Sequence, residues 1–181
     1  MDKPKIEAFR ASLSTIEARA AAVRAGKIPE TYTEKLIASQ NNRVKKLTSE
    51  VGELVREDWR PDFSAGCLVG EAADVNYSVS VMTAARGLPM LAPGRQRSAF
   101  YKELDQQYRD QILGSRIERT HLLGIATMGL VACECQPVFD EAAFIGTAGR
   151  VLLMTDFILA GQCLTSEPVI DELIRRNREG A

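Results

Sequence analysis

Two pairs of acidic residues have the spacing for shared chemistry. Glu50 and Glu53 lie in LTSEVGELVRED, and Glu71 and Asp74 lie in GEAADV. Residues three apart on a helix are neighbours, with β-carbons roughly 5–6 Å apart, so each pair presents two carboxylates side by side. Both pairs border apolar positions: Val44, Leu47, Val51 and Leu54 around the first, Leu68, Val69 and Val75 around the second. Two bare carboxylates at about 5.5 Å repel by roughly 3 kcal/mol at an effective dielectric of 20. A hard divalent cation relieves that cost, since magnesium takes oxygen ligands, keeps several waters and is held by a few carboxylates together with substrate phosphates. The pattern predicts that Glu50, Glu53, Glu71 and Asp74 hold magnesium, with manganese as the alternative ion. Such a site would split a phosphoanhydride, with Glu57 as the neighbouring carboxylate that orients the attacking water.

A polyphosphate substrate also needs cations from the protein, and lysine and arginine suit phosphate. The candidates by position are Arg43, Lys45 and Lys46 before the first acid pair, Arg56 after it, and Lys102 and Arg109 beyond the Pro-Gly connector at 88–94. Trp59, Phe63 and Tyr77 are the aromatic side chains near the acids that would stack a base, with Asn42 and Asn76 able to read its edge. Arg150, a lone charge in AFIGTAGRVLLMTDFILAG, is expected to pair with Asp156 or Asp140, and His121, before an apolar run, to be a partly buried, hydrogen-bonded side chain.

The segment KLTSEVGELVREDW, followed by GEAADVNYSVSVMTAARGL, resembles the MazG-type all-α nucleoside triphosphate pyrophosphatases, a superfamily that includes the dimeric dUTPases. Those proteins carry ExxE on one helix and ExxD on the next. The resemblance implies a helical bundle, a homodimer or homotetramer, which uses magnesium to convert a nucleoside triphosphate to the monophosphate and pyrophosphate. By motif correspondence Glu50, Glu53, Glu71 and Asp74 would be the ligands. Ser49 stands where many members double the acid, and little after Arg109 falls within the resemblance. The other class of reading is a helical interaction module that keeps the fold without catalysis.

The elements that must position these residues read as helices throughout. Ile6, Phe9, Leu13, Ile16, Ala20 and Val23 form one amphipathic seam closed by Gly26. A second long helix is expected from Thr31 to Asp58, antiparallel to the first and broken by Pro61. A third runs over 65–86. A pattern from Arg97 ends at Pro137, an apolar helix covers 140–162, and Ser166 caps a charged final helix. With no strand-like alternation, the expectation is one all-α domain over 1–181, with the acid-bearing core at 31–110 and residues 111–181 completing the bundle or an oligomer interface.

A weak internal repeat is visible. A shift of 73 sets Asn42-Arg43-Val44-Lys45 over Ser115-Arg116-Ile117-Glu118 and drops Glu50 and Glu53 on Leu123 and Ala126; a shift of 76 drops Glu71 and Asp74 on Thr147 and Arg150. In this register the second copy has lost every acid.

The bulk numbers narrow the partners. With 23 basic and 24 acidic residues the net charge is -1, which supplies no whole-protein field for nucleic acid or an anionic membrane. No apolar run is expected to span a bilayer. The four cysteines lack zinc spacing and read as reduced, mostly buried thiols in a cytoplasmic protein.

Overall fold

Helix starts are set by side chains that accept otherwise unpaired amides: Thr31, Ser39, Ser64, Asp105, Ser115 and Asp140 each take the N–H three residues on. The computed structural model describes residues 2–179, with side chains to Arg176. Among these residues the elements are nine helices and no strands: α1 (Lys3–Arg24), α2 (Tyr32–Ala38), α3 (Gln40–Trp59), α4 (Ala65–Ala85), α5 (Ala92–Glu103), α6 (Gln106–Gly114), α7 (Arg116–Cys135), α8 (Glu141–Gly161) and α9 (Glu167–Glu179). The all-α bundle is as expected.

The long second helix is instead two. Ser39 is extended (φ -121°, ψ 110°), and its side chain accepts from Asn42 N to start α3. The carbonyls of Leu36 and Ile37 freed at the break accept from the buried Arg43 guanidinium. A continuous helix would satisfy those carbonyls internally, so Arg43 supports the break. In consequence α1 packs on α2, α4 and α9, and the tight hairpin is α3 against α4.

The repeat is regular, in one register of 76. Gln40 and Trp59 bound α3 as Arg116 and Cys135 bound α7; Ala65 and Ala85 bound α4 as Glu141 and Gly161 bound α8. Ser115 (φ -121°, ψ 108°) repeats the backbone of Ser39. Arg119 donates to the carbonyls of Ile112 and Leu113 as Arg43 does to Leu36 and Ile37. Arg43 therefore matches Arg119, and the shift of 73 is corrected: its three-residue slip came from pairing Arg43 with the wrong arginine, Arg116.

The two copies interlock through their equivalent acids. Glu134, wholly buried, accepts from Arg43 Nε at 2.8 Å and Arg86 Nε at 2.8 Å, while its carbonyl takes Gln40 and Arg86. Its equivalent, Asp58, also wholly buried, accepts from Gln162 Nε2 at 2.7 Å, with Arg116 Nε at 3.8 Å and the Arg119 charge nearby. Gln40, Arg43 and Arg86 are the residues equivalent to Arg116, Arg119 and Gln162, so the halves meet across a pseudo-two-fold axis between α3 and α7. α5 and α9 are equivalent in the same register, Ala92–Glu103 falling on 168–179, and α9 packs on α4 as α5 packs on α8; α9 also lies on α1, where Lys5 bridges to Glu167 and Asp171.

The main core runs through both copies, from Leu47, Leu54 and Leu68 to Leu123, Phe144 and Ile158. α8 is long and apolar enough to cross a membrane, contrary to the expectation from sequence. It is instead the central helix, with α4, α5, α6 and α7 packed against it and most of its apolar side chains buried. The cysteines are free, but only Cys133 is buried; Cys67, Cys135 and Cys163 are exposed. Arg150 does not pair with an acid: its guanidinium lies 4.9 Å from the Phe100 ring, and Asp156 pairs with Arg97 at 3.3 Å. His121 is exposed on α7.

Candidate metal and phosphate site

The α3–α4 hairpin determines which acids meet. Its turn is closed by Glu57, whose carboxylate accepts from Ser64 N at 3.1 Å and from Arg60 at 3.2 Å. Glu53 lies about as far before this turn as Glu71 lies after it, so antiparallel packing of Leu47, Val51 and Leu54 on Leu68, Ala72 and Val75 brings the two side by side. Carboxylate oxygens of Glu50, Glu53 and Glu71 lie within 4.8 Å of one another. Among the described residues this is the one group of three acidic, histidine or cysteine side chains so close.

The electrostatics reflect unbalanced negative charge. Burial, then the neighbouring Glu53, Asp74 and Glu50, raises the Glu71 pKa above 4.5, and Arg176 offsets part of this. Glu50 is 5% exposed and bonded to Lys46. Burial, the largest single influence, would depress the Lys46 pKa, but the bond to Glu50 and the negative charge of Glu50, Tyr32 and Asp74 together outweigh it and the pKa is raised. Ser49 Oγ donates to Glu53 at 3.0 Å.

Asp74 borders this triad but faces elsewhere, forming an ion pair with Arg176 of α9, whose Nε also binds Glu172 at 2.6 Å. Between Lys46, Asp74 and Arg176 opens a cavity of ≈ 240 Å³, completed by Arg19, Thr31, Tyr32, Thr33 and Tyr77. Tyr77 and Thr33 share a hydrogen bond of 2.6 Å. The cavity thus combines cationic side chains, aromatic rings and hydroxyls, directly beside the acids.

The other sequence candidates are placed as follows. Arg56 is exposed on α3, one turn from Glu53. Arg43 is corrected as a substrate cation: it is 7% exposed and committed to Glu134. Lys102 and Arg109 are corrected likewise, because α5 packs on α8 and α6 on α7 and α8, away from the acid hairpin. Arg109 lies 5.0 Å from the Tyr101 ring. Glu57 is corrected as the water-orienting base, since both its oxygens close the turn. Trp59 bonds Thr120, on the α7 side. Sequence reasoning missed Arg176, Arg19 and Tyr32. Nothing in local spacing links 176 to 74; the highly charged last helix was the available signal.

The second copy cannot form an equivalent site. Glu50, Glu53, Glu71 and Asp74 correspond to Ala126, Gly129, Thr147 and Arg150. A β-carbon on Gly129 would sit 3.1 Å from Thr147 Cγ2, so the Thr147 side chain fills the space beside Gly129.

No protein-family model, no curated protein and no solved structure matches this chain.

Proposed function

We propose that the protein is a magnesium-dependent nucleoside triphosphate pyrophosphohydrolase, with manganese as the alternative ion and nucleotide-pool housekeeping as its role. The observation that supports this reading is the convergence of Glu50, Glu53 and Glu71 beside a cationic, aromatic cavity of ≈ 240 Å³. The donor set fits: three carboxylates from two rigid helices, with burial and then the charge of the neighbouring acids raising the pKa of Glu71. When bound, magnesium would neutralise phosphate oxygens and activate water. The chain's own residues do the rest. Glu50, Glu53 and Glu71 supply the ligands, Lys46 spans from Glu50 to the cavity and meets phosphate, and Tyr32 and Tyr77 offer faces to the base. Asp74 is freed for the site once Arg176 leaves it. Incubation with each common ribo- and deoxynucleoside triphosphate and magnesium should yield monophosphate and pyrophosphate, and Glu53→Gln should abolish the yield. No turnover with any nucleotide, together with no thermal response to magnesium, would overturn the reading.

One observation favours the alternative of a non-catalytic interaction module. Asp74 is neutralised by Arg176, which leaves one carboxylate fewer for a metal. A module of that kind would gain no stability from magnesium and nucleotide together, whereas ligands that bind only the native state raise its melting temperature.

A further inference from the structure

Because α5 and α9 are equivalent in the repeat, the surroundings of Asp74 can be set against those of Arg150, its counterpart in the second copy. Position 176 matches position 100. In the second copy the Arg150 guanidinium lies 4.9 Å from the Phe100 ring, and in the first the Arg176 guanidinium reaches Asp74. Helix packing therefore sets these two positions against each other in both halves, and the chemistry of the pair is what differs. The side chains of Arg176 and Asp74 are 33% and 22% exposed, and an ion pair so open to water is weakly held. Arg176 also separates two cavities. It lines both the one of ≈ 240 Å³ and a second of ≈ 430 Å³, with Asp74 opening on the first and Glu71, one turn away on α4, on the second. A β-carbon on Gly70 would stand 3.5 Å from Arg176 Nη2, so the guanidinium lies close over the bare backbone of α4.

Resting on the metal-site reading above, we infer that Arg176 is a positioning residue that makes metal and phosphate bind cooperatively: phosphate entering the cavity draws the guanidinium off Asp74, and Asp74 joins Glu50, Glu53 and Glu71 as a fourth carboxylate. Competition favours the exchange. A phosphate carries more charge than one carboxylate and offers two oxygens to the planar arginine fork, and the cavity already places Lys46 and Arg19 beside Arg176 to help hold it. Departure of Arg176 strands no other acid. Glu172, its second partner, is also bound by Arg175 at 2.6 Å and 2.8 Å, so only Asp74 loses its counter-charge. Asp74 stands three residues from Glu71, which puts their β-carbons roughly 5–6 Å apart. Rotation of the side chain alone then turns the freed carboxylate towards the triad, where its charge adds to the attraction for a cation. Linkage makes the effect reciprocal: a metal that takes Asp74 releases Arg176 to phosphate and tightens phosphate by the same factor. Without phosphate the cradle stays one carboxylate short.

The test is Mn²⁺ binding to the full chain, read from the paramagnetic resonance signal of the free ion, with no nucleotide present. Arg176→Gln should tighten Mn²⁺ by about tenfold, within the usual range of coupling between sites. Asp74→Asn should weaken Mn²⁺ by about tenfold more in the Arg176→Gln background than in wild type, because the carboxylate reaches the metal only when the arginine is gone. Two charges acting through space alone would give additive effects, with Asp74→Asn costing the same in both backgrounds. Inorganic phosphate, its own complex with Mn²⁺ subtracted by a protein-free titration, should tighten Mn²⁺ on wild type by about fivefold and leave Arg176→Gln unchanged. Both side chains are partly exposed, so circular dichroism should be the same for all four proteins. Additive effects in the cycle, or phosphate that leaves the wild-type affinity as it was, would overturn the inference while the metal site stands. Failure of every variant to bind Mn²⁺ would remove the metal site and the inference together. Turnover does not enter the measurement, so the outcome does not depend on which nucleotide is hydrolysed.

Discussion

Glu71→Gln keeps the size of the side chain and removes one charge from the acid triad. At 4.8 Å, the outer limit of the carboxylate separation, two unit charges at an effective dielectric of 20 repel by about 3.5 kcal/mol. A Debye length of about 8 Å at physiological salt roughly halves that. Glu71 faces two such charges, and because Glu53 and Glu71 are only partly buried they swing apart to shed much of the rest. The net expectation is that Glu71→Gln stabilises the metal-free protein by about 1–2 kcal/mol, or roughly 2–8 °C for a chain of this size. The pH dependence has a definite sign. The folded pKa of Glu71 is raised above 4.5, so the folded state holds its proton more tightly than the unfolded chain does. The destabilisation is thus full above the raised folded value, shrinks as pH falls through it, and is gone below 4.5. The variant's advantage should be greatest at pH 7 and absent near pH 4. Magnesium should reverse the order, since ligand at 100 times its Kd stabilises wild type by about 2.7 kcal/mol and the variant has lost a ligand. Thermal melts in chelator and in magnesium, at both pH values, check this. A variant no more stable than wild type in chelator, or one that magnesium raises as much as wild type, would refute the electrostatic reasoning.

Other consequences follow from the packing. Glu134→Ala should cost about 3–5 kcal/mol in urea unfolding, because it leaves the buried Arg43 and Arg86 without their counter-charge. Asp58→Asn should cost less, since Asp58 Oδ2 accepts no hydrogen bond and Arg116 stands 3.8 Å off. Two glycines on α8 should respond in opposite directions. Gly149→Ala pushes a β-carbon to 2.9 Å from Gln96 Cβ and 3.0 Å from Arg97 N, and overpacking there costs about 1–3 kcal/mol. Gly146→Ala meets nothing within 4 Å and should gain about 0.5–1 kcal/mol from helix propensity, as denaturation midpoints will show. Glu34, bonded to Lys27 and to the amides of Thr31 and Glu30, has its pKa held down to about 2 by those bonds. Its contribution is present above pH 4.5 and lost as pH falls towards 2, so the melting curves of Glu34→Gln and wild type should differ at neutral pH and converge in acid.

The all-helical class was legible in the sequence because apolar spacing is local: Leu47, Val51 and Leu54 record which face of α3 is buried without reference to any other helix. The neighbouring placement of Glu50 and Glu53, and of Glu71 and Asp74, is equally local, fixed by helix pitch. The break at Ser39 was not legible, because it depends on Arg43 reaching back to two carbonyls and across to Glu134, a residue 91 positions away. The register of the repeat failed for the same reason. Identities were too few to choose between Arg116 and Arg119 as the match for Arg43, and the hydrogen bonds each makes decide it.

Sequence by itself determined the all-helical class, the two acid pairs and the loss of acids in the second copy, since each follows from residue type and short-range pitch. Tertiary structure decided which acids meet. The α3–α4 turn, closed by Glu57, sets Glu53 against Glu71, while packing of α9 brings Arg176 to Asp74 and holds it from the triad. It also decided that Arg43, Lys102 and Arg109 serve the scaffold and not the cavity, because where a long cationic side chain ends is set by the element opposite it, which one-dimensional spacing does not specify.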